Sequence, residues 1–268
     1  MKELLKKLRE DRCKTKREVS QGIVSDKTYS KIEKGVASLN FNDLTKVLKN
    51  LDLTLEEFTY QYKMIYEDPF SKGIEKIREI THSNNKESLK KSTDAILKDK
   101  KLSYKKKNIL ICTLNCISNL NDGEIELAKK HANVVWNYLK DFDTLYAYDL
   151  FFLTHIFIAF TGETLDHVVE KIRIEIPKWK DFKNFQIVEI SFYLNYGKYL
   201  ELEKRKEEAI NIYQEALRIS KLNNNALYTS VSMIRLGRLI KDNTFIDSGI
   251  YILNIFDPDL CNNIMKEE

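Results

Sequence analysis

Glycine and proline are scarce, 8 and 3 in 268 residues. Sandwiches, barrels and doubly wound sheets need such residues to turn their strands. The scarcity therefore disfavours those folds and points to long helices on short connections. It also leaves no glycine-rich loop to cradle a phosphate. No apolar run approaches the roughly 20 residues that span a bilayer. The most apolar stretch, residues 150–160, is interrupted by Thr154 and His155 and is expected to form a buried helix. The first residues, MKELLKKLREDR, lack the apolar core of a secretory signal. The four cysteines (Cys13, Cys112, Cys116 and Cys261) accordingly read as free thiols in a reducing cytoplasm. Cys112 and Cys116 stand one helical turn apart, but no further Cys or His follows at ligand spacing. Neither a metal nor a cofactor is expected. No nucleophile and base can be paired in named roles, so an enzyme is not expected either.

Positive charge is plentiful in one place only. The net charge is +4, yet residues 1–50 hold 13 Lys+Arg against 7 Asp+Glu, while the remainder holds 31 against 33. A small basic module, attractive to polyanions, precedes a near-neutral body.

In the basic module, Leu4, Leu5 and Leu8 fall at helical spacing, giving an amphipathic helix over about residues 2–12. Thr15 with Glu18 forms a capping box that opens a second short helix, which Gly22 ends. Ser25 caps a third helix with Tyr29 and Ile32 facing inward and Gly35 as the stop. A fourth runs from about Asn42 to Leu51, and Thr54 with Glu57 opens a fifth. Two short helices joined by a tight turn, the second ending in Glu-Lys-Gly, make a helix-turn-helix. The segment TKREVSQGIVSDKTYSKIEKG resembles the xenobiotic-response-type repressor domain, and more closely the version in Rgg/MutR and PlcR-like regulators. That resemblance implies a third helix laid in the major groove. The expected DNA-binding residues are Thr15, Lys16 and Arg17 at the start of the second helix, with Ser25, Asp26, Lys27, Thr28 and Lys31 on the third. Cationic groups and helix N–H groups hold phosphate, and Lys27 and Thr28 can reach base edges. Asp26 either accepts from a cytosine amino group or caps its helix.

Pro69 breaks the fifth helix, so the helix-turn-helix domain with its connecting helix is expected over residues 1–66 and a second domain over 67–268. Around Gly197 the chain reads FYLNYGKYLELEKRKEEAINIYQEALRIS, with Gly197, Ala209, Tyr213 and Ala216 spaced 12, 4 and 3 apart. This resembles a tetratricopeptide repeat, in which small residues let paired helices pack closely. The spacing recurs with Gly237, Gly249, Leu253 and Phe256. Weaker units are expected over residues 143–177, 105–139 and about 74–98, giving five helix pairs in all. The expected fold is all-α: a five-helix repressor-type domain followed by a tetratricopeptide-like, right-handed helical solenoid. Trp136, Trp179, Phe182 and Tyr193 are expected mostly to pack between pairs.

In such a solenoid the first helix of each pair lines the concave surface. Ser191, Asn195, Lys198 and Glu201 form one inward stripe, and Val231, Arg235, Arg238 and Lys241 the next. An Asn amide both donates and accepts, so Asn195 can clasp the backbone of an extended peptide, or else bond within the solenoid. The arginines can hold a carboxylate. Asn115 and His155 are placed further along the same groove. The expected peptide-binding residues are thus Asn115, Ser191, Asn195, Lys198, Arg235 and Arg238.

A repressor-type helix-turn-helix followed by such pairs is similar to the peptide-sensing regulators of Gram-positive bacteria, the RRNPP group. The resemblance implies a cytoplasmic homodimer that binds promoter DNA and reads a short, mostly hydrophobic signalling peptide, with residues 54–66 as the connecting helix. One helix-turn-helix covers a single half-site, which argues separately for a pair. Two other readings share these features: a repressor whose solenoid serves only dimerisation or protein binding, and a solenoid adaptor that does not bind DNA.

Overall fold

The computed structural model describes residues 2–83, 86–182 and 184–266. Every regular element among them is helical. The chain divides into two compact units, residues 1–72 and 73–268.

The first unit holds α1 (Lys2–Asp11), α2 (Lys16–Ser20), α3 (Asp26–Glu33), α4 (Phe41–Asn50) and α5 (Leu55–Ile65). Its core joins Leu4, Leu5 and Leu8 of α1 to Val19, Tyr29, Ile32, Val47, Leu48 and Phe58. Burying an aliphatic side chain such as Ile32 contributes roughly 2 kcal/mol. Both capping boxes form: Thr15 Oγ1 accepts from the Glu18 amide at 3.2 Å and Thr54 Oγ1 from the Glu57 amide at 3.1 Å. The returning hydrogen bonds hold the Glu18 and Glu57 carboxyls below the usual range. Helix α4 starts earlier than its apolar spacing suggests. Asn40 is its cap and accepts from the Asp43 amide at 2.8 Å.

Helix α6 (Pro69–Ser83) begins at Pro69, which occupies its first turn, where a missing N–H costs nothing. The second unit continues through α7 (Lys86–Lys98), α8 (Tyr104–Asn121), α9 (Ile125–Leu139), α10 (Ala147–Leu153), α11 (Gly162–Glu175), α12 (Phe185–Leu202), α13 (Lys206–Leu222), α14 (Ala226–Ile240), α15 (Asn243–Phe256) and α16 (Pro258–Met265). These make five helix pairs and a closing helix.

The small residues act where the repeat spacing put them. A Cβ on Gly197 would lie 2.5 Å from the buried Tyr213 ring, and one on Gly249 would lie 2.7 Å from Ile234. Ala209 and Ala216 are fully buried beside them. Gly73 does the same between the first two pairs, where an added Cβ would meet Leu110 of α8 at 2.5 Å.

One expectation needs correction. Residues 150–160 are buried but do not form one helix. Helix α10 stops at Leu153, and a 3-10 turn covers Phe157–Ala159. Thr154 Oγ1 donates to the Phe151 carbonyl at 2.8 Å, and His155 Nδ1 lies 2.8 Å from the same oxygen. These side chains compete with the backbone at the place where the helix ends. Pro258 follows the apolar stretch of α15. It opens α16, with Asp257 as the cap.

Candidate functional site

In the first unit α3 stands on α2 with its inner face buried at Tyr29 and Ile32. Burial and the nearby Glu33 charge push the Tyr29 phenol up, so it stays neutral. Glu33 is itself buried, and Arg9 Nε donates to its Oε1 at 2.6 Å. The Arg9 guanidinium also donates to the Lys14 carbonyl at 3.0 Å, so it ties α1 both to the end of α3 and to the α1–α2 turn. The Leu4, Leu5, Leu8 spacing does not reveal this role for Arg9.

Of the residues expected to meet DNA, Arg17, Lys27 and Lys31 are exposed. Lys16 is half-buried, and its Nζ lies 3.8 Å from Glu33, which draws its charge inward. Thr15 is engaged in its capping box. Ser25 caps α3, and its Oγ lies 2.8 Å from Thr28 Oγ1. Asp26 Oδ1 accepts from Ser20 Oγ at 2.8 Å, which joins α3 to α2. Its structural role is therefore a helix-to-helix tie.

In the second unit a cavity of about 340 Å³ is lined by α8, the α10 break, α12, α14 and α16. Its walls come from the first helices of successive pairs; no residue of α9, α11, α13 or α15 is among those lining it. Ser191, Leu194, Asn195 and Lys198 supply one face of α12, and Tyr228, Val231 and Arg235 one face of α14. His155, Phe157 and Ile158 come from the break, and Leu260, Asn263, Ile264 and Lys266 from α16. The lining is mostly apolar. Its charged members are Lys198, Arg235 and Lys266, with no Asp or Glu among the described residues that form it.

Asn195 Nδ2 donates to the Thr154 carbonyl at 2.9 Å. Tyr199 Oη donates to the Phe160 carbonyl at 3.0 Å, and Cys116 Sγ to the His155 carbonyl at 3.5 Å. The carbonyls freed where α10 stops are thus bound by side chains of α12 and α8. Among the described residues Asn195 Oδ1 accepts no hydrogen bond, so the amide keeps an acceptor for a guest N–H. Arg235 lies 3.9 Å from Glu201, which in turn accepts from Tyr213 Oη. Burial pushes the Tyr228 phenol up, against the opposing pull of its hydrogen bond to Ser191 and the Arg78 charge.

Two expected groove residues lie elsewhere. Asn115 is absent from the lining, because Ile117, Leu120 and Asn121 present the cavity-facing side of α8 and Asn115 is rotated well away from Ile117. Arg238 donates to the Ile264 carbonyl at 3.0 Å and so fastens α16. Lys241, grouped with that stripe by spacing, ends α14 in the left-handed conformation. The contribution of α16 escaped the sequence reading, although Asp257-Pro258 is a start signal for a helix. Among the described residues no three His, Cys, Asp or Glu side chains group as metal ligands, and no helix is long and apolar enough to cross a membrane.

Comparison with known proteins first gives the class of the N-terminal unit. Residues 5–58 match the helix-turn-helix family, and the unit is a helix-turn-helix domain. Solved structures then give the fold of the whole chain. It is similar to a candidate transcriptional regulator from Listeria monocytogenes EGD-e, with TM-score 0.72 and 16% identity over 99% of this chain and 97% of that one. It is similar to Bacillus thuringiensis PlcR in complex with the peptide PapR7 and DNA, with TM-score 0.69 and 16% identity over 99% and 97%. A third is the Streptococcus dysgalactiae SHP pheromone receptor Rgg2, with TM-score 0.69 and 12% identity over 100% and 98%. At these identities the likeness establishes the fold alone, a helix-turn-helix domain followed by paired helices.

Proposed function

We propose that the protein is a DNA-binding transcriptional regulator whose activity is set by a short, largely apolar peptide held in the α8–α16 cavity. The observation that carries the reading is one fold with two unlike surfaces. Helix α3 exposes Lys27 and Lys31 above a fully buried Tyr29, and a separate unit holds an apolar cavity with cationic groups and a spare amide acceptor. PlcR, which shares the fold, was solved with both a peptide and DNA, and this supports the same pair of ligands here.

In this reading Arg17, Lys27 and Lys31 meet DNA directly. Thr15, Lys16, Ser25, Asp26 and Thr28 set the geometry of α2 and α3 and complete the DNA-facing surface. The peptide backbone donates to Asn195 Oδ1, and its carboxylate end lies toward Lys198 and Arg235. The active form is a cytoplasmic homodimer, each copy covering one half-site. Exposed Tyr251, Ile255 and Phe256 on α15 are apolar surface that pairing would cover.

The deciding experiment measures binding to the DNA upstream of its own gene over a series of salt concentrations. Affinity is expected to fall steeply with salt and to weaken about tenfold on Lys27→Ala, within the roughly 1–3 kcal/mol that one base contact supplies. Absence of binding at low salt overturns the reading. A hydrophobic peptide encoded beside the gene should then change DNA affinity by some factor, and DNA should change peptide affinity by the same factor. A peptide that binds without moving DNA affinity leaves the helix-turn-helix reading and removes peptide control.

A further inference from the structure

We propose that the corner between α7 and α8 is a second DNA-binding surface that grips phosphate. The proposal rests on the reading of the first unit as a DNA-binding domain. Residues 98–107 contain six lysines and one acid, Asp99, a local charge of +5. Residues 51–268 as a whole sum to −2, so everything else in them sums to −7. The near-neutral balance of the body therefore hides one strongly cationic corner.

Three features set this corner apart from ordinary solvated charge. Lys98, Lys100 and Lys101 are exposed, and none has an ion-pair partner among the described residues. Asp99, the acid that could neutralise them, accepts from the Lys101 backbone amide at 2.8 Å and so shapes the turn. Helix α8 then opens with Lys105, Lys106 and Lys107 and no acid in its first turn, where the helix dipole favours anions. Bound phosphate would offset that local conflict. Finally, Tyr104 stands between the two lysine groups with 84% of its surface exposed. A phenol there can donate to a phosphate oxygen, and aromatic rings set among lysines suit nucleic acid. Lys107 Nζ donates to the Leu97 carbonyl at 2.5 Å, and Lys105 rests 4.7 Å from the Tyr138 ring centre, so the corner is braced from within.

The test uses the full chain and an extended duplex of its upstream DNA. The slope of log affinity against log salt is compared for the unaltered chain and for the triple variant Lys98→Gln, Lys100→Gln, Lys101→Gln. On the extended duplex the slope should shrink by about 0.9 for each lysine that meets a phosphate, up to roughly 2.7, with the preference for upstream over unrelated DNA retained. The single variant Lys101→Gln should lose up to about 0.9. An unchanged slope in both variants overturns the second contact and leaves the first-unit reading standing. No binding of the duplex by the unaltered chain overturns both. If the triple variant instead loses affinity for phosphatidylglycerol vesicles while its DNA slope stays the same, the corner serves a lipid surface and the proposal falls.

Discussion

Helices α12 to α15 and helices α10 and α11 belong to the same repeat domain, but they are built differently. In the first group, glycines on the helix faces let neighbouring helices approach closely, and the helices run 14 to 18 residues without interruption. In the second, α10 lasts seven residues and stops, and the chain crosses a 3-10 turn before α11. The regular pairs need no help from outside to satisfy their backbone. The broken pair does, and the groups that supply it, Asn195 and Tyr199, sit on α12 and line the cavity. Regular repeats make the wall, and the irregular repeat gives the wall its polar chemistry.

The largest effect should come from filling a close approach. Gly197→Val puts new atoms where even a Cβ would stand 2.5 Å from the Tyr213 ring, and that ring has no room to yield because it is fully buried. Overpacking of this kind costs about 3 kcal/mol, against the roughly 1 kcal/mol a helix ordinarily gains when glycine is replaced. Urea unfolding of the repeat domain should show the midpoint falling with little change in slope. A neutral or stabilising outcome would mean that α12 and α13 do not meet through Gly197, and the contrast between regular and broken pairs would lose its basis.

Asn195→Ala should cost less, about 2 kcal/mol, because it leaves the carbonyl of the buried Thr154 without its donor. Its mark should be local: amide exchange should accelerate across residues 154–160 more than in α13 or α15. Because Asn195 also lines the cavity, the variant should weaken peptide response at the same time. Asn195→Asp separates the two roles, keeping an oxygen for a guest N–H while removing the donor to Thr154. If Asn195→Ala changes peptide response but not exchange at the break, the bond to Thr154 has no structural weight.

This division also explains what could be read from the chain. Helix-turn-helix caps at Thr15, Ser25 and Thr54, and the Gly197 to Ala216 spacing, are local signals, each requiring only residues within a turn or one helix pair. They anticipated the fold well. The stripe Ser191, Asn195, Lys198 was legible for the same reason, as one face of one helix. What spacing could not supply depends on partners far along the chain. The stop at Leu153 depends on Thr154 and His155 turning back onto Phe151 and on donors about 40 residues away in α12 and α8. Arg238 looked like part of the stripe until α16, folded back over the cavity, presented a carbonyl to it. The role of Arg9 lay outside the apolar spacing of α1 because its partner, Glu33, is 24 residues on.

The smallest effect should come from the glycine at the junction of the broken pair. Gly162 opens α11 with φ +52, and a Cβ there would meet nothing within 4 Å. Gly162→Ala therefore tests conformation without space, the reverse of Gly197→Val. Holding an alanine in the left-handed region costs about 1 kcal/mol, and no packing term adds to it. The urea midpoint should shift by about a third of the Gly197→Val shift, while exchange in α12 to α15 stays unchanged. A loss as large as that at Gly197 would place the junction inside the close-packed scaffold, and the broken pair would then be held by the same steric fit as its neighbours. A loss near zero would mean that the junction relaxes to negative φ, so that the break is pinned by Asn195 and Tyr199 and not by the local backbone.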